Sequence, residues 1–477
     1  MKLRHHDLLI PEDGSDPFVN CKLDRKKYAD VLINIVDDYA DGFVLAINNP
    51  WGEGKTTFVK MWRQHLINEG FPTLYFNAWE NDFQQDVLVA LISELSELKN
   101  KPEKQFKDVL KKVVPLTGKL IPKIFKHLIK RYGGDEAAQD ILESVGEYTE
   151  DQLKELTDSY KEKKESVKKF RDSLQAFANE AGGDKPLIFI IDELDRCRPN
   201  YAVEILEQIK HLFSVPGIVF VLSIDKVQLG HAVRGVYGSN KIDANEYLRR
   251  FIDLEYSIPE PDIGLYVHHL LDYFGIDQFF KDEERLKHSV FKNDRANFIG
   301  FSKILFFQKK MTLRQIEKLY AKTKITLTFF EYNSYVFPTF FLTLIFIHSE
   351  RKEIYLKIKH KEYNLQELTD AIDGLFAENL NRDEHNSISY MFALFLKLYF
   401  NFLSYNEPDH IELFDNDPET KEPKLSITTR LNKINERGQN SLVEAIQFYE
   451  RFYNYDLRSL KIDHFLNKVE LLSPISN

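Results

Sequence analysis

Asn48-Asn49-Pro50-Trp51-Gly52-Glu53-Gly54-Lys55-Thr56-Thr57 decides the reading of this chain. An apolar run of strand length, Gly42-Phe43-Val44-Leu45-Ala46-Ile47, precedes it. Residues of helical spacing, Phe58 to Leu66, follow it. Strand, tight loop and helix together turn a Gly-Lys-Thr string into a phosphate-binding loop. In that setting successive backbone N–H groups converge on an anion at the positive end of the helix. Gly52 and Gly54 let the backbone approach closely, Lys55 reaches the β- and γ-phosphates, and the Thr56 hydroxyl sits on Mg²⁺. The nucleotide-contacting set expected here is Asn49, Pro50, Trp51, Gly52, Glu53, Gly54, Lys55, Thr56 and Thr57. Asn49 stands where the usual pattern has its first glycine. Asn is the non-glycine residue that best tolerates a left-handed backbone, so the loop can still close.

The totals bound the rest. With 477 residues, two or three domains are expected. Hydrophobic residues make up 43% and charged residues 29%, the balance of a globular protein with a sizeable core. Two cysteines, Cys21 and Cys197, exclude a disulfide framework and suit a reducing, cytoplasmic setting. Met1 to Asp7 lacks the apolar region of a leader. The longest apolar run, Val336 to Ile347, is too short to span a bilayer and reads as a buried helix. The net charge of −10 excludes a general nucleic-acid binder and leaves room only for a local basic patch.

Taken in order, residues 1–20 read as an extended arm. Residues 21–96 read as the first part of the sheet domain. A helix over Asp24–Tyr39 has Tyr28, Val31, Leu32, Ile35 and Val36 on one face, and a second strand covers Pro72–Asn77. A βαβ start of this kind argues for a parallel sheet covered by helices, an α/β three-layer fold. Residues 97–183 read as a charged helical insertion. From Lys101 to Arg131 there are ten Lys and Arg against two acids. That stretch either contacts an anionic surface or is a solvated helix face. Thin aromatic interleaving favours the solvated face. Glu143–Phe177, with mixed charge signs, reads as a long exposed helix or helical hairpin. The sheet domain resumes over 184–260, residues 261–330 read as a helical lid, and 331–477 as a helical C-terminal domain.

The second half of the chemistry lies in Leu187-Ile188-Phe189-Ile190-Ile191-Asp192-Glu193. A buried strand delivers Asp192 beside the phosphate loop, where it can hold the Mg²⁺ shell, and Glu193 can polarise the attacking water. A further strand, Ile218–Ser223, brings Ser223 or Asp225 to the same sheet edge. There a polar group either senses the γ-phosphate or caps the strand end. Another strand is expected over Asp253–Ile258.

These residues together resemble the KAP family of P-loop ATPases. Asp24-Arg25-Lys26-Lys27-Tyr28-Ala29 looks like the family's N-terminal helix start, and Asn49 to Phe58 like its Trp-Gly-containing loop. Phe76-Asn77-Ala78-Trp79-Glu80 is close to its Asn-Ala-Trp segment. Ile191-Asp192-Glu193-Leu194-Asp195-Arg196-Cys197 resembles its Walker B signature, with Glu193 replacing an Asp and keeping the carboxylate. The resemblance covers about residues 20–330. It implies an additional-strand P-loop fold close to the STAND signalling ATPases, ATP and Mg²⁺ as ligands, and a role in phage exclusion or multi-gene antiviral defence. Many relatives carry a transmembrane insertion between the two Walker motifs. The insert here is charged and resembles the soluble bacterial kind.

Asp195 either positions the catalytic water or pairs with Arg196. Cys197 reads as a small buried hydrophobe. Arg250, in Tyr247-Leu248-Arg249-Arg250, either acts in trans on a neighbour's ATP or is a surface charge. Arg314 lies at a helix start in the lid and resembles a nucleotide-sensing arginine. Trp79 reads as core, and the 14 histidines show no metal spacing. The expected protein is an ATPase with Glu193, Lys55 and Asp195 as catalytic residues and Thr56 and Asp192 as Mg²⁺ ligands. It would act as a nucleotide-dependent switch or assembly ATPase that self-associates and works with an effector protein. The alternatives are an ATP-dependent scaffold with little turnover and a nucleic-acid-stimulated motor using residues 101–131.

Overall fold

The computed structural model describes residues 8–38, 42–83, 86–98, 100–117, 160–239, 241–376, 382–403, 413–416, 423–431, 441–452 and 460–471. The chain divides into two compact units. One runs from Asp7 to Glu260 and the other takes in Pro261–Asn477.

The first unit is built on five strands: β1 (Val44–Asn48), β2 (Thr73–Asn77), β3 (Leu187–Asp192), β4 (Ile218–Ile224) and β5 (Leu254–Tyr256). Their order is β2-β3-β4-β1-β5, and every neighbouring pair is parallel. Such a sheet needs cover on both faces, which is why β1 to β4 are near-continuous apolar runs, while the edge strand β5 exposes Leu254 and Glu255. Side chains alternate between the faces. Ala46, Phe76, Phe189, Ile191, Phe220 and Leu222 enter one core, and Leu45, Ile47, Ile188, Ile190, Val219 and Val221 enter the other. β4 lies between the phosphate-loop strand and the strand ending in Asp192, which is the additional-strand arrangement.

Helices α1 (Lys26–Asp38) and α2 (Lys55–Asn68) cover the second face with Ala29, Leu32, Val36, Phe58, Val59, Trp62 and Leu66. Val31, expected on the inner face of α1, is 47% exposed. The buried line runs Ala29-Leu32-Val36 instead. In the arm, Phe18 is buried with its ring 6.2 Å from that of Phe58. The other face is covered by α3 (Val87–Leu95), α4 (Glu103–Thr117), α5 (Tyr160–Gly182), α6 (Pro199–Gln208) and α7 (Lys226–Tyr237).

Two of these helices come from the charged segment. Phe106, Val109, Leu110 and Val113 of α4 and Phe170, Leu174 and Phe177 of α5 are buried in the sheet core. The reading of Glu143–Phe177 as exposed is therefore corrected over its described part. Phe170, Leu174 and Phe177 recur at helical spacing, so one apolar stripe lies inside while the dense charge occupies the remaining faces. Lys104 and Lys111 of α4 point to solvent, as a solvated face requires. The expectations for residues 118–159, including most of the basic stretch's apolar positions, lie outside the described residues.

α3 also carries a half-buried acid, Glu94. Burial pushes the Glu94 carboxyl up to about 7; Glu97 adds to the effect and Arg63 opposes it. The native state thus holds this proton more tightly than the unfolded chain, and stability is lost as pH rises from about 4.5 through about 7. Glu94→Gln should raise stability at pH 8 by on the order of 1–3 kcal/mol, and the gain should fade on approach to pH 4.5. Urea unfolding at the two pH values checks this.

The second unit is helical, including α8 (Ile263–Tyr273), α9 (Asp294–Lys309), α10 (Leu313–Leu327), α11 (Pro338–Glu350) and α12 (Arg382–Leu403). The apolar run at Val336–Ile347 falls in α11, where Phe340 through Ile347 are all buried. A small antiparallel hairpin, β6 (Phe414–Asn416) with β7 (Pro423–Leu425), was not foreseen from the sequence. Among the described residues no helix is long and apolar enough to cross a membrane.

Candidate nucleotide site

The loop between β1 and α2 uses its two glycines for the left-handed backbone, with φ of +90° at Gly52 and +75° at Gly54. Asn49 does not adopt that conformation, which corrects the reason given for its tolerance. Its side chain works elsewhere. Nδ2 donates to the Ile258 carbonyl at 2.8 Å, and Oδ1 accepts from the Ile258 amide at 2.9 Å. A glycine there would leave the segment after β5 untied. Asn49→Gly, which restores the common pattern, should therefore destabilise the unit by roughly 1–3 kcal/mol, measurable by urea unfolding.

Lys55 is buried at the first position of α2, and its Nζ donates to the carbonyls of Asn49 and, at 3.2 Å, Pro50. Burial lowers the proton affinity of its amine, while Asp195, Asp225 and Asp192 oppose that shift. A cation held among three carboxylates and loop carbonyls suits a site that receives a polyanion. Thr56 and Thr57 follow in the first turn of α2. Arg25, just before α1, is also buried, and it donates to the carbonyls of Glu53 and Gly54.

Asp192 ends β3 and is 1% exposed. Its Oδ2 accepts from the Tyr75 hydroxyl at 2.9 Å and its Oδ1 from the Glu193 amide at 2.9 Å, so its aim is fixed. Burial, with Asp192 beside it, keeps the Tyr75 hydroxyl protonated far above the usual range. Glu193 takes a left-handed backbone, φ +61°, at the strand end. A bulky residue persists there only where its surroundings hold it. Arg196 forms an ion pair with Glu193 Oε1, and Asn77 Nδ2 donates to Oε2 at 3.3 Å. Burial raises the proton affinity of Glu193, and Arg196 opposes that.

Asp195 gathers the ends of three elements. Its Oδ2 accepts from the Trp51 indole N–H and, at 2.9 Å, from the Asp225 amide. It does not pair with Arg196, whose partner is Glu193. Asp195 thus ties the loop and the end of β4 to the segment after β3. Burial raises its proton affinity against the Trp51 bond. Asp225 caps α7 through the amides of Val227 and Gln228 and accepts from the Trp51 amide at 3.3 Å. Ser223 stands opposite Asp192 in register. Its fully buried hydroxyl has no hydrogen-bond partner among the described residues.

Several expected residues lie elsewhere. Trp79 does not pack in the core. It is 53% exposed, with the Arg196 guanidinium 5.5 Å from its ring centre. The turn after β2 is closed by Asn77 Oδ1 accepting from the Trp79 and Glu80 amides, and this holds the indole outward. Arg250 is exposed on the turn before β5. Among the described residues it makes no hydrogen bond or ion pair with these side chains. Arg314 belongs to the other compact unit, exposed in the first turn of α10. Cys197 is buried, and burial holds its thiol well above the usual range. Among the described residues no cluster of three His, Cys, Asp or Glu side chains could hold a metal ion. Arg25, Tyr75 and Asn77 have no task that local sequence pattern reveals. Their partners lie 28, 117 and 116 positions away.

A phosphate loop on β1, an acid pair ending β3 and an intervening β4 define a P-loop NTPase. The profile of the KAP family P-loop domain matches residues 25–330, and the chain belongs to that family. A curated relative, the Phage T7 exclusion protein of Escherichia coli (strain K12), is 28% identical over 79 residues, 17% of this chain. The match spans only 10% of that protein's length. Among solved structures, the Aeropyrum pernix ORC2 protein in ADPNP and ADP complexes aligns with 95% of this chain and 86% of its own. Its identity is 13% and its TM-score 0.28.

Proposed function

We propose that the chain binds and hydrolyses ATP and acts as a nucleotide-dependent switch or assembly ATPase in phage defence, with a partner effector protein. The observation that carries hydrolysis is Glu193, an acid aimed by Asn77 and Arg196 directly beside the buried Asp192. In this reading the loop amides and Lys55 hold the β- and γ-phosphates. Glu193 takes a proton from water as its oxygen attacks the γ-phosphorus. The bond to the β–γ bridging oxygen breaks, and ADP and inorganic phosphate leave. The residues present fit a divalent cation, because the buried Asp192 carboxylate lies close enough to act on Lys55, and Thr56 follows Lys55 in the first turn of α2. Mg²⁺, held by Thr56 and Asp192 with phosphate oxygens, would neutralise charge on the transferred group. Asp195 keeps the loop and the acid segment in register.

The defence role rests on family membership and on the name of the partly matching relative. The packing of α4 into the core favours a switch over a motor, because it leaves the described basic residues as the outer face of a core helix. ATP turnover with and without added DNA or RNA tests this. Turnover unchanged by nucleic acid fits the switch, and stimulation would favour the motor instead.

A further inference from the structure

We propose that Arg25 is a positioning residue for nucleotide binding: its guanidinium turns two phosphate-loop carbonyls outward so that the amides behind them face the phosphates. The proposal deepens the nucleotide-site reading and rests on it. Asp24, at φ +50°, turns the chain into α1, and Arg25 opens the helix, its carbonyl accepting the first helical bonds from Tyr28 and Ala29. The side chain runs from there to the loop and is 3% exposed. Nη2 donates to the Glu53 carbonyl at 2.9 Å and Nη1 to the Gly54 carbonyl at 3.3 Å.

A trans peptide is planar, so its C=O and the following N–H point in opposite directions. Fixing the oxygen of Glu53 fixes the N–H of Gly54 the opposite way, and fixing the oxygen of Gly54 does the same for Lys55. Those two N–H groups belong to the turn and helix start that cradle an anion. Arg suits the task because its planar fork reaches two acceptors at once. Its charge also lies behind the cradle, in a setting that screens it little from a bound polyanion. The loop has to hold two left-handed glycines, Gly52 and Gly54, on either side of Glu53. The Gly54 carbonyl also accepts the first helical bond of α2 from the Phe58 amide at 3.1 Å, so the Arg25 bond bears hardest on the Glu53 carbonyl and the Gly54 N–H behind it. α1 supplies that constraint from outside the loop.

The test is ADP binding by the full chain, measured calorimetrically for wild type and for Arg25→Gln, Arg25→Ala and Arg25→Lys, beside Lys55→Ala. Arg25→Gln and Arg25→Ala should bind ADP at least tenfold more weakly. Arg25→Lys, which keeps the charge and loses the fork, should fall between them and wild type. At saturating ATP the turnover number of all three should stay within about threefold of wild type, so the loss appears in KM and not in kcat. A folded Arg25→Gln chain with wild-type ADP affinity overturns the proposal, whatever its Tm. So does a result in which none of the three variants folds, since Arg25 would then hold the unit together and do no more. If wild type binds no ADP, or binds it no better than Lys55→Ala, the nucleotide site itself fails. If Lys55→Ala loses binding while Arg25→Gln keeps it, only the role of Arg25 fails.

Discussion

Glu193→Gln should lower ATP turnover by about 10²–10⁴-fold while ATP still binds. The substitution keeps the volume and the contact with Asn77, and it replaces the basic carboxylate that accepts the proton from water with a non-basic amide. Lys55, the loop glycines and the Arg25 contacts with the loop are untouched by it, so affinity should hold. Arg196 loses its ionic partner. It remains against the exposed Trp79 ring with a quarter of its side chain in water, so the stability cost should be small. Release of γ-phosphate and equilibrium binding of ATP, measured on the same preparation, separate the two effects. Turnover unchanged by the substitution would mean that Glu193 is not the base, whereas tight ATP binding by the wild-type chain with no turnover would make an ATP-dependent scaffold the better reading.

The second large effect lies in the helical unit and concerns stability. Arg285 is fully buried. It bonds Asp294 and donates to the carbonyls of Tyr332 and Ser334 at 2.9 Å each. Its guanidinium lies 4.9 Å from the Phe279 ring centre and 4.2 Å from that of Phe291. Burial pushes the Asp294 carboxyl up to about 6, and Arg285 opposes that rise. Arg285→Ala leaves a buried acid and two carbonyls without their donor, and should destabilise this unit by about 3–5 kcal/mol. Adding Asp294→Ala should recover part of that loss, because the uncompensated acid goes with it. Denaturant unfolding followed by tryptophan-independent circular dichroism reads both variants. A single-variant loss below about 1 kcal/mol would contradict the account.

What was legible in the sequence was what local pattern carries. Four apolar runs became the strands β1 to β4, since a doubly covered parallel sheet writes burial on both faces as continuous hydrophobicity, while the short edge strand β5 stays largely exposed. Gly52, Gly54 and Lys55 are adjacent in the chain, so the loop could be read directly. Contacts between distant positions were not legible. Local pattern accounts for Asn49 only through backbone tolerance, while its actual partner, Ile258, lies 209 residues on. Trp51 was assigned to the loop, and its bond to Asp195 became visible only once β4 had brought the two segments together. Residue type alone puts Trp79 in the core. A short turn and a neighbouring guanidinium hold it at the surface instead. The charge of α5 masked a buried stripe of three apolar residues, because dense Lys and Glu dominate any reading by composition.

The most direct test of the central claim is phosphate release from ATP by the purified full chain with Mg²⁺, beside Lys55→Ala. Lys55 sits at the junction of every feature of the site, under the loop carbonyls and among Asp192, Asp195 and Asp225. The account predicts turnover by the wild-type chain that falls at least about 100-fold in the variant. ATP release of phosphate at the same rate by both chains would contradict it.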